Sequence, residues 1–204
     1  MTLDQTGRQP PRGRPPKDEL APRGPEAVRR AAVAAAAELF ARRGLAGVSV
    51  REVAAQAGVN PALIHRYVGG KDPLLRAVLA DLLDQLRTDL PAFAERADQP
   101  LPESMAAAVA THQRIAAHLV MEGYDIGDYQ FDFPVMDHIV AEIQRVHGVD
   151  AATARRRGAL IYAHDMTVRL LMPVLLRAAG LDPSDADDLR AAARRVNLRL
   201  SEIG

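Results

Sequence analysis

Residues 49–71 carry the start and stop signals of two short helices separated by a very short turn. Ser49 and Glu52 form an S-x-x-E pattern, in which each side chain accepts a hydrogen bond from the backbone N–H of the other residue at the start of a helix. Gly58 stands where this helix ends, because glycine adopts a left-handed backbone conformation without a Cβ penalty. We therefore expect the first of the two helices to end at about Ala57.

The second helix begins after a turn of three residues, 58–60. Asn60 is a favoured N-cap, and Pro61 is a favoured first helical residue because its fixed φ suits a position whose N–H has no partner. We expect this helix to run from Pro61 to about Val68. A glycine-containing turn of about three to four residues between two short helices is typical of a helix-turn-helix unit. The segment is therefore a candidate for reading DNA.

Three segments that follow one another along the chain extend this pattern. They are Ala-Ala-Ala-Glu-Leu-Phe-Ala-Arg-Arg-Gly in residues 35–44, Val-Arg-Glu-Val-Ala-Ala-Gln-Ala-Gly-Val in 50–59, and Ile-His-Arg-Tyr-Val-Gly-Gly-Lys-Asp-Pro-Leu-Leu in 64–75. Together, residues 28–76 resemble the DNA-binding domain of the tetracycline-repressor (TetR) family of bacterial regulators. His65 and Val68 depart from the family pattern, which usually has tyrosine and phenylalanine there. The first departure concerns one phosphate contact, and the second replaces a large core side chain by a smaller one.

The resemblance implies an all-α protein with a three-helix helix-turn-helix head and a helical body for effector binding and dimerisation. We expect a disordered basic arm in residues 1–24, the DNA-binding domain in 25–76, and the effector-binding and dimerisation domain in 77–204. The sequence agrees with this fold class, because apolar residues recur at helical spacing after Pro25 while alternating strands and Asn-Gly hairpins are missing.

The apolar spacing predicts further helices at residues 25–43, 71–90, 103–121, 134–147 and 151–179, and a last helix after residues 181–184. The buried stripe of the 134–147 helix should consist of Met136, Ile139, Val140, Ile143 and Val146. The prolines between Leu90 and Pro102 mark the clearest break, and Pro173 should kink the longest helix.

Charge is distributed unevenly along the chain although the formal net charge is zero. Up to Arg76 the chain has 13 basic and 7 acidic residues, and after it 13 basic and 19 acidic residues. A basic N-terminal third is expected for a protein that binds phosphates, and an acidic remainder orients its approach to DNA.

The resemblance also implies which head residues contact DNA. Arg51 matches a family position that contacts a base edge, and a bidentate arginine–guanine contact is the commonest specific contact. The first turn of the recognition helix, Pro61, Ala62 and Leu63, offers apolar contacts such as those with thymine methyl groups. Asn60 caps the helix, contacts a base, or does both. Phosphate contacts are expected from Ser49, His65, Arg66, Tyr67 and Lys71. Pure capping is the alternative for Ser49 and Asn60, and an ordinary solvated face is the alternative for Arg66, Tyr67 and Lys71.

The first 24 residues are rich in proline, glycine and charge, with too little apolar surface to offset the entropy of ordering. Arg12-Gly13-Arg14-Pro15 resembles the core of an AT-hook, whose arginines lie in the narrow minor groove of A·T-rich DNA. The alternative is a solvated basic tail that adds only nonspecific attraction.

The last two helices are predicted to pair two copies of the chain. The longest helix is apolar on more than one side, and the final helix carries Leu189, Ala193, Val196, Leu200 and Ile203 on one face. Two such helices from each subunit form a four-helix bundle with both apolar faces covered, and members of the resembled family pair through these helices. The alternative is that they fill the monomer core. Two heads in a homodimer predict an inverted-repeat operator on double-stranded DNA.

A small-molecule effector, bound in the body, is the other partner that the resemblance implies. Four of the eight aromatic residues fall within ten positions, at Tyr124, Tyr129, Phe131 and Phe133, where they line the mouth of a pocket or staple a loop to the core. The candidate ligand contacts are His112, Met121, Tyr124, Tyr129, Phe131 and His164. A buried, hydrogen-bonded structural role is the favoured interpretation of each histidine.

An enzyme is the alternative class of protein. Residues in the second half resemble those of all-helical metal-dependent phosphohydrolases: His164, Asp165, His138, Asp125, Asp128 and Asp132. Adjacent residues on a helix point about 100° apart, so His164 and Asp165 would need an irregularity to share a metal. A glycine-rich phosphate loop, a serine nucleophile elbow and a His-Glu-x-x-His motif are missing from the sequence. We therefore expect a repressor released from its operator by a small molecule, with no enzymatic activity, cofactor or metal.

The absence of cysteine excludes disulfide and thiolate sites. No apolar run approaches the ~20 residues needed to cross a bilayer, and the N-terminus lacks the apolar segment of a signal peptide. These features predict a cytoplasmic protein that is not bound to a membrane.

Overall fold

The computed structural model describes residues 22–94 and 101–203, and within these ranges the chain is all-α, as predicted. The helices are α1 Pro25–Arg43, α2 Val50–Gln56, α3 Pro61–Tyr67, α4 Lys71–Ala94, α5 Glu103–Met121, α6 Pro134–His147, α7 Ala151–Ala179 and α8 Ala186–Leu200. Two short 3-10 helices lie at Ile126–Asp128 and Pro183–Asp185.

The first three helices form a head because each turns an apolar face toward the other two. Val53 on α2 and Ile64 on α3 are completely buried, and they share one apolar cluster with Leu39 and Phe40 of α1. α1 has the predicted bounds, and its buried face includes Val28, Ala32 and Ala36 besides Leu39 and Phe40. The head is therefore held by the apolar faces that the sequence periodicity indicated.

α4 leaves the head and continues into the body with one leucine face. The leucines at three- and four-residue spacing are all buried: Leu75, Leu79, Leu82, Leu86 and Leu90. They lie in one apolar cluster with Met105 and Leu119 of α5, and α5 also packs on α1. The core is thus continuous from the head into the first part of the body.

The predicted end of α4 was wrong by one turn. The helix continues through Pro91 to Ala94, whereas the prolines after Leu90 predicted a break there. Proline removes a backbone donor and clashes with the preceding turn. Here that cost falls in the last turn of a long helix, and burial of Leu90 keeps the chain packed up to the proline.

α6 has the predicted bounds, but its apolar stripe is only partly covered. Ile143 is buried, whereas Val146 is 55% exposed, which contradicts its predicted place in the core. The stripe packs on α7 at Gly158, where an added Cβ would lie 3.2 Å from Met136 Sδ and 3.4 Å from Ile139 Cγ2. Val146 lies on a side of α6 that no described helix covers.

α7 bears on the expectation that no apolar run is long enough to cross a bilayer. An 18-residue window of this helix has a mean hydropathy of 1.4, so by length and composition alone it could cross a membrane, although only 11% of the window is buried. No uninterrupted apolar run in this helix approaches 20 residues, because Asp165 and Arg169 lie within it and form an ion pair at 2.7 Å. A single helix of this kind is a weak indication of membrane insertion.

α8 packs beside α7, and two polar contacts join the end of α8 to the first half of α7. His164 Nδ1 of α7 lies 2.7 Å from Asn197 Oδ1 of α8, and Arg157 Nη1 donates to the Ser201 carbonyl at 2.8 Å. α8 ends at Leu200, so Ile203 lies beyond the helix that was predicted to carry it. The two helices form one hairpin.

Candidate nucleic-acid interface

The start of α2 is held by the reciprocal hydrogen bonds that the sequence predicted. The Ser49 hydroxyl accepts from the Glu52 N–H at 3.3 Å, and the Glu52 carboxylate accepts from the Ser49 N–H at 2.8 Å. Arg43 of α1 adds an ion pair, with 2.7 Å between its Nη1 and Glu52 Oε1. The hydrogen bond from the Ser49 hydroxyl, followed by that from Arg43, lowers the pKa of Glu52 to about 2. Glu52 is therefore charged at neutral pH and joins the end of α1 to the start of α2.

The turn between α2 and α3 has the predicted chemistry. Gly58 has a φ of +66°, in the left-handed region that favours glycine. Asn60 Oδ1 accepts a hydrogen bond from the Ala62 N–H at 2.9 Å, and Pro61 is the first residue of α3. Capping is thus an observed role of Asn60, while a base contact by the same side chain stays a prediction.

α3 turns one face to the core and leaves the opposite face open. Ile64 is completely buried, whereas Ala62, His65 and Arg66 are exposed. The Arg66 guanidinium lies over the Tyr67 ring, 5.4 Å from its centroid. The residues predicted to contact DNA from this helix are all at least partly exposed: Pro61, Ala62, Leu63, His65, Arg66 and Tyr67. The outer face of α3 is therefore accessible to a partner.

Three further predicted DNA contacts lie on the elements that flank α3. Arg51 is exposed on α2, and Ser49 is exposed at its N-cap. Lys71 begins α4, and its Nζ lies 3.5 Å from the carbonyl oxygen of Ala46 in the loop between α1 and α2. This contact brings Lys71 to the loop that precedes Ser49.

Residues that sequence analysis missed join the head to the body. We call residues 122–132, which follow α5, the junction segment. Glu122 Oε2 accepts a hydrogen bond from the Ala46 N–H at 2.9 Å, across 76 positions of sequence. Arg76 of α4 donates to the Asp128 carbonyl and lies over the Tyr129 ring, 5.1 Å from its centroid. No motif or periodicity links residues so far apart, so the sequence carried no signal for these contacts.

Most of the candidate ligand contacts lie in or beside the junction segment. Met121 is 74% exposed and Phe131 is 84% exposed, while Tyr124 and Tyr129 pack edge to face with 6.2 Å between their centroids. His112 is buried on α5, and its Nε2 lies 2.7 Å from Gln130 Oε1. Burial lowers the pKa of His112, against the opposing effect of its bond to Gln130.

His112 is buried and hydrogen-bonded, as the favoured interpretation has it, whereas His164 is hydrogen-bonded but only half-buried. His112 holds the junction segment to α5 through Gln130, and His164 holds α7 to α8 through Asn197. His164 is thus directed to a different part of the body from the aromatic residues. A role in ligand binding stays a prediction for all six candidates.

The geometry of His164 and Asp165 does not favour the phosphohydrolase alternative. His164 bonds to Asn197, whereas Asp165 accepts hydrogen bonds from Arg169 at 2.7 Å and from Gln113 at 3.2 Å. The two side chains therefore serve different neighbours. Among the described residues, no three His, Asp or Glu side chains are grouped as metal ligands. Arg12 and Arg14, the candidate minor-groove contacts, lie outside the described residues.

Residues 32–78 match the family model described as bacterial regulatory proteins, tetR family. The HTH-type transcriptional repressor Rv3405c of Mycobacterium tuberculosis is 33% identical over 181 residues, which cover 89% of this chain and 93% of that protein. The HTH-type transcriptional regulator Mb3439c of Mycobacterium bovis matches with the same identity and coverage. The HTH-type transcriptional regulator BetI of Brucella canis is 40% identical over 102 residues, covering 50% of this chain and 44% of BetI.

Among solved structures, an HlyIIR mutant protein with residues 170–185 substituted by alanine is similar with a TM-score of 0.47 and 16% identity, over 85% of this chain and 97% of that chain. The family assignment depends on the sequence matches, which include the capped helices and open α3 face described above and extend over nearly the whole of two regulators. The chain therefore belongs to the TetR family of bacterial regulatory proteins and is a DNA-binding transcriptional regulator.

Proposed function

We propose that this protein is a cytoplasmic repressor that binds an inverted-repeat operator as a homodimer and is released by a small molecule. The observation that carries the proposal is the open face of α3, which is oriented by burial of Ile64 and by the Asn60 cap. The similarity to a mycobacterial protein named as a repressor supports the direction of regulation. In this proposal residues 25–76 are the DNA-binding domain and residues 77–204 serve effector binding and dimerisation.

The proposed contacts divide into base and phosphate contacts. Arg51 contacts a base edge from α2, and Pro61, Ala62 and Leu63 present apolar groups to thymine methyls from the first turn of α3. The phosphate contacts are made by Ser49, His65, Arg66, Tyr67 and Lys71. Their exposure supports these roles. The pairing of Arg66 with the Tyr67 ring adds support, because it holds a cation at the surface.

A stripe of exposed residues on α7 supports the proposed dimer. The stripe follows a spacing of three or four residues and carries no charge: Leu160, Ala163, Thr167, Leu171, Val174 and Ala178. Leu160, Leu171 and Val174 are 51%, 45% and 60% exposed. The Thr167 hydroxyl donates to the Ala163 carbonyl of its own helix, so it needs no other partner. An uncharged stripe of this length on one subunit is suited to pair with a second copy.

The neighbouring helix supplies the second element of the proposed interface. Val196 of α8 is 43% exposed, and α8 has no buried side chain in the single chain. The His164–Asn197 and Arg157–Ser201 contacts hold α8 to α7, so both helices present their open faces as one unit. Two such hairpins around a twofold axis form a four-helix bundle.

The effector is proposed to bind near the junction segment and α5. The exposed side chains of Met121 and Phe131 offer apolar contact area, and Tyr124 and Tyr129 offer ring edges. Gln113 Oε1 on α5 is buried without a hydrogen-bond partner among the described residues. An unmade bond to a buried acceptor costs about 1–3 kcal/mol, which a donor group on a ligand or a water would recover. The effector weakens operator binding only by as much as it prefers the conformation that does not bind DNA.

Selection of bound fragments from random DNA tests the proposed function. The wild-type protein should recover an inverted repeat, with half-sites spaced for two heads on one face of the duplex. Ala62→Glu places a carboxylate on the open face of α3 and should abolish selection. Ala107→Glu, at an exposed position of α5 in the body, is the matched control and should recover the wild-type motif. Recovery of no motif by folded wild-type protein, or of the same motif by the Ala62→Glu variant, would contradict the proposal.

A further inference from the structure

The loop between α1 and α2 is held from the body by a single carboxylate. The Ala46 N–H donates to Glu122 Oε2 at 2.9 Å, and Glu122 follows directly after α5. Ala46 lies three residues before Ser49, the N-cap of α2. The position of the Glu122 carboxylate is therefore linked to the start of the helix-turn-helix unit through a very short stretch of backbone.

The loop is shaped to accept this carboxylate. Gly44 has a φ of +73° and a ψ of 174°, a conformation open essentially to glycine alone. A Cβ added at Gly44 would overlap the Glu122 carboxylate and lie 3.0 Å from His118 Nδ1. The backbone at residue 44 thus approaches the end of α5 as closely as a residue without a side chain allows.

The other polar group of Ala46 faces a proposed DNA contact. The Ala46 carbonyl accepts from Lys71 Nζ at 3.5 Å, while its N–H donates to Glu122. Lys71 begins α4 and is a proposed phosphate contact. Ala46 thus links the Glu122 carboxylate to a proposed phosphate contact as well as to the start of α2.

The junction segment that carries Glu122 is itself fixed on α4. Arg76 donates to the Asp128 carbonyl, and Arg87 forms an ion pair with Asp132. The two arginines are 11 residues apart, which is about three helical turns, so they lie on the same face of α4. The contacts at Asp128 and Asp132 therefore hold the junction segment, including Glu122, in a fixed position relative to α4.

We propose that Glu122 is a positioning residue for DNA binding, whose carboxylate fixes residues 44–46 and thereby the start of α2 and Lys71. The proposal rests on the DNA-binding role of the head given above. α2 and α3 have only seven residues each, so their orientation depends on the loop that leads into them. Without the carboxylate, the exposed Ala46 N–H bonds to water, the fold persists, and the loop must be ordered when DNA binds.

The expected effect has a sign that distinguishes positioning from charge. Ordering one residue costs about 1–2 kcal/mol, so Glu122→Ala should weaken operator binding roughly fivefold or more. If Glu122 acted only through its charge, removal of a negative group near DNA would strengthen binding instead. The slope of affinity against salt should remain that of the wild type, because no phosphate contact is removed.

The test is a fluorescence-anisotropy titration of the full chain with its selected operator at several salt concentrations. Glu122→Gln keeps an oxygen for the Ala46 N–H and should bind within about twofold of wild type, whereas Glu122→Asp keeps the charge but is one methylene short and should bind weakly. Glu103→Ala, an exposed change in the first turn of α5, is the matched control and should bind as wild type does.

Several outcomes overturn the positioning role without affecting the proposed function. One such outcome is that Glu122→Ala binds the operator as tightly as the wild type. Another is that the Ala and Gln variants bind more tightly than the wild type while the Asp variant binds equally well, which would indicate an effect of charge. Amide hydrogen exchange gives a readout that does not need the Ala variant to fold: the Ala46 N–H should be protected in the wild type and exchange faster in Glu122→Asp. Exchange at the rate of a free amide in the wild type would equally overturn the role. Failure of the wild type to bind any DNA would instead overturn the proposed function.

Discussion

Arg43, in the last turn of α1, and Glu52, in the first turn of α2, form an ion pair with 2.7 Å between Nη1 and Oε1. Glu52 also accepts the Ser49 N–H, so one carboxylate joins two helices and starts the second. Both partners are partly exposed, and an exposed pair alone contributes little to stability. The importance of this pair is that it fixes the start of α2, and with it the helix-turn-helix unit, against the end of α1.

Glu52 should titrate well below an ordinary glutamate. Its pKa is lowered from 4.5 to about 2, so its stabilisation of α2 is complete above pH 4.5 and is lost as the pH falls toward 2. An NMR titration of the side chain measures this value directly. Glu52→Gln keeps an oxygen for the Ser49 N–H and lacks the charge, so its unfolding should depend less on pH in this range. Titration of Glu52 near pH 4.5 would show that the capping interactions are not formed in solution.

Arg51→Ala and Lys71→Ala should have different effects on DNA binding. Loss of the proposed base contact of Arg51 should cost about 1–3 kcal/mol and relax the preference at one base pair. Lys71→Ala should weaken binding to every sequence alike and lower the salt slope by about one. Competition titrations with operator variants at several salt concentrations measure both quantities. Indistinguishable behaviour of the two variants would contradict the division into base and phosphate contacts.

Substitutions at Asn60 separate capping from base recognition. Asn60→Ala removes the acceptor of the Ala62 N–H and should destabilise the fold by about 1 kcal/mol in urea unfolding. Asn60→Ser keeps a capping hydroxyl and should retain most of the stability. If Asn60 also contacts a base, the Ser variant should lose sequence preference while staying folded. Equal preference in the Ser variant and the wild type would leave capping as the role of this residue.

Stability should fall as the pH is lowered below about 6.5, in part because of His112. Its folded pKa is lowered by burial, so the unfolded chain takes up a proton first, and the stabilisation present above pH 6.5 is lost as the pH falls toward the folded value. His112→Gln has no ionisable group and should show a shallower dependence in urea unfolding between pH 7 and pH 5. The other histidines serve as the internal reference, because both proteins contain them. Identical pH profiles would mean that His112 is not buried in its neutral form.

Leu171→Glu should separate the proposed dimer. A carboxylate in the middle of the α7 stripe would be buried unpaired, which costs several kcal/mol and should weaken association by roughly 100-fold or more. Val146→Glu changes an exposed residue of α6, outside the α7 stripe. This control variant should leave the dimer intact. Sedimentation equilibrium measures the dimer dissociation constant of both variants. A dimer unaffected by Leu171→Glu would exclude this face as the interface.

The starts and ends of the head helices could be predicted because their signals are local. Ser49 and Glu52 are three residues apart, and Asn60 caps the N–H two residues later, so the sequence contains both partners of each bond. The end of α4 was missed for the opposite reason. Pro91 is a local signal for a break, but the packing of α4 on its neighbours, through leucines as far as Leu90, outweighs it.

The candidate DNA contacts were predicted through the family resemblance; they are accessible in the structure, and their roles stay predictions. The contact between Glu122 of the body and Ala46 of the head was not predicted. The two residues are 76 positions apart, and no sequence pattern links them. Val146 shows the same limit, because periodicity places it on the apolar stripe of α6 but does not tell which part of that stripe another helix covers.

The sequence by itself determined the approximate bounds of the helices, the caps of α2 and α3 and the helix-turn-helix unit, because the signals for these features lie within a few residues of one another along the chain. Tertiary structure alone decided that Glu122 reaches the loop before α2, that Arg76 and Arg87 hold the junction segment, and that one uncharged stripe of α7 is left open. These features depend on how the helices are arranged in space. Burial of apolar faces drives that arrangement but does not specify which faces pack together, since the hydrophobic effect is not directional.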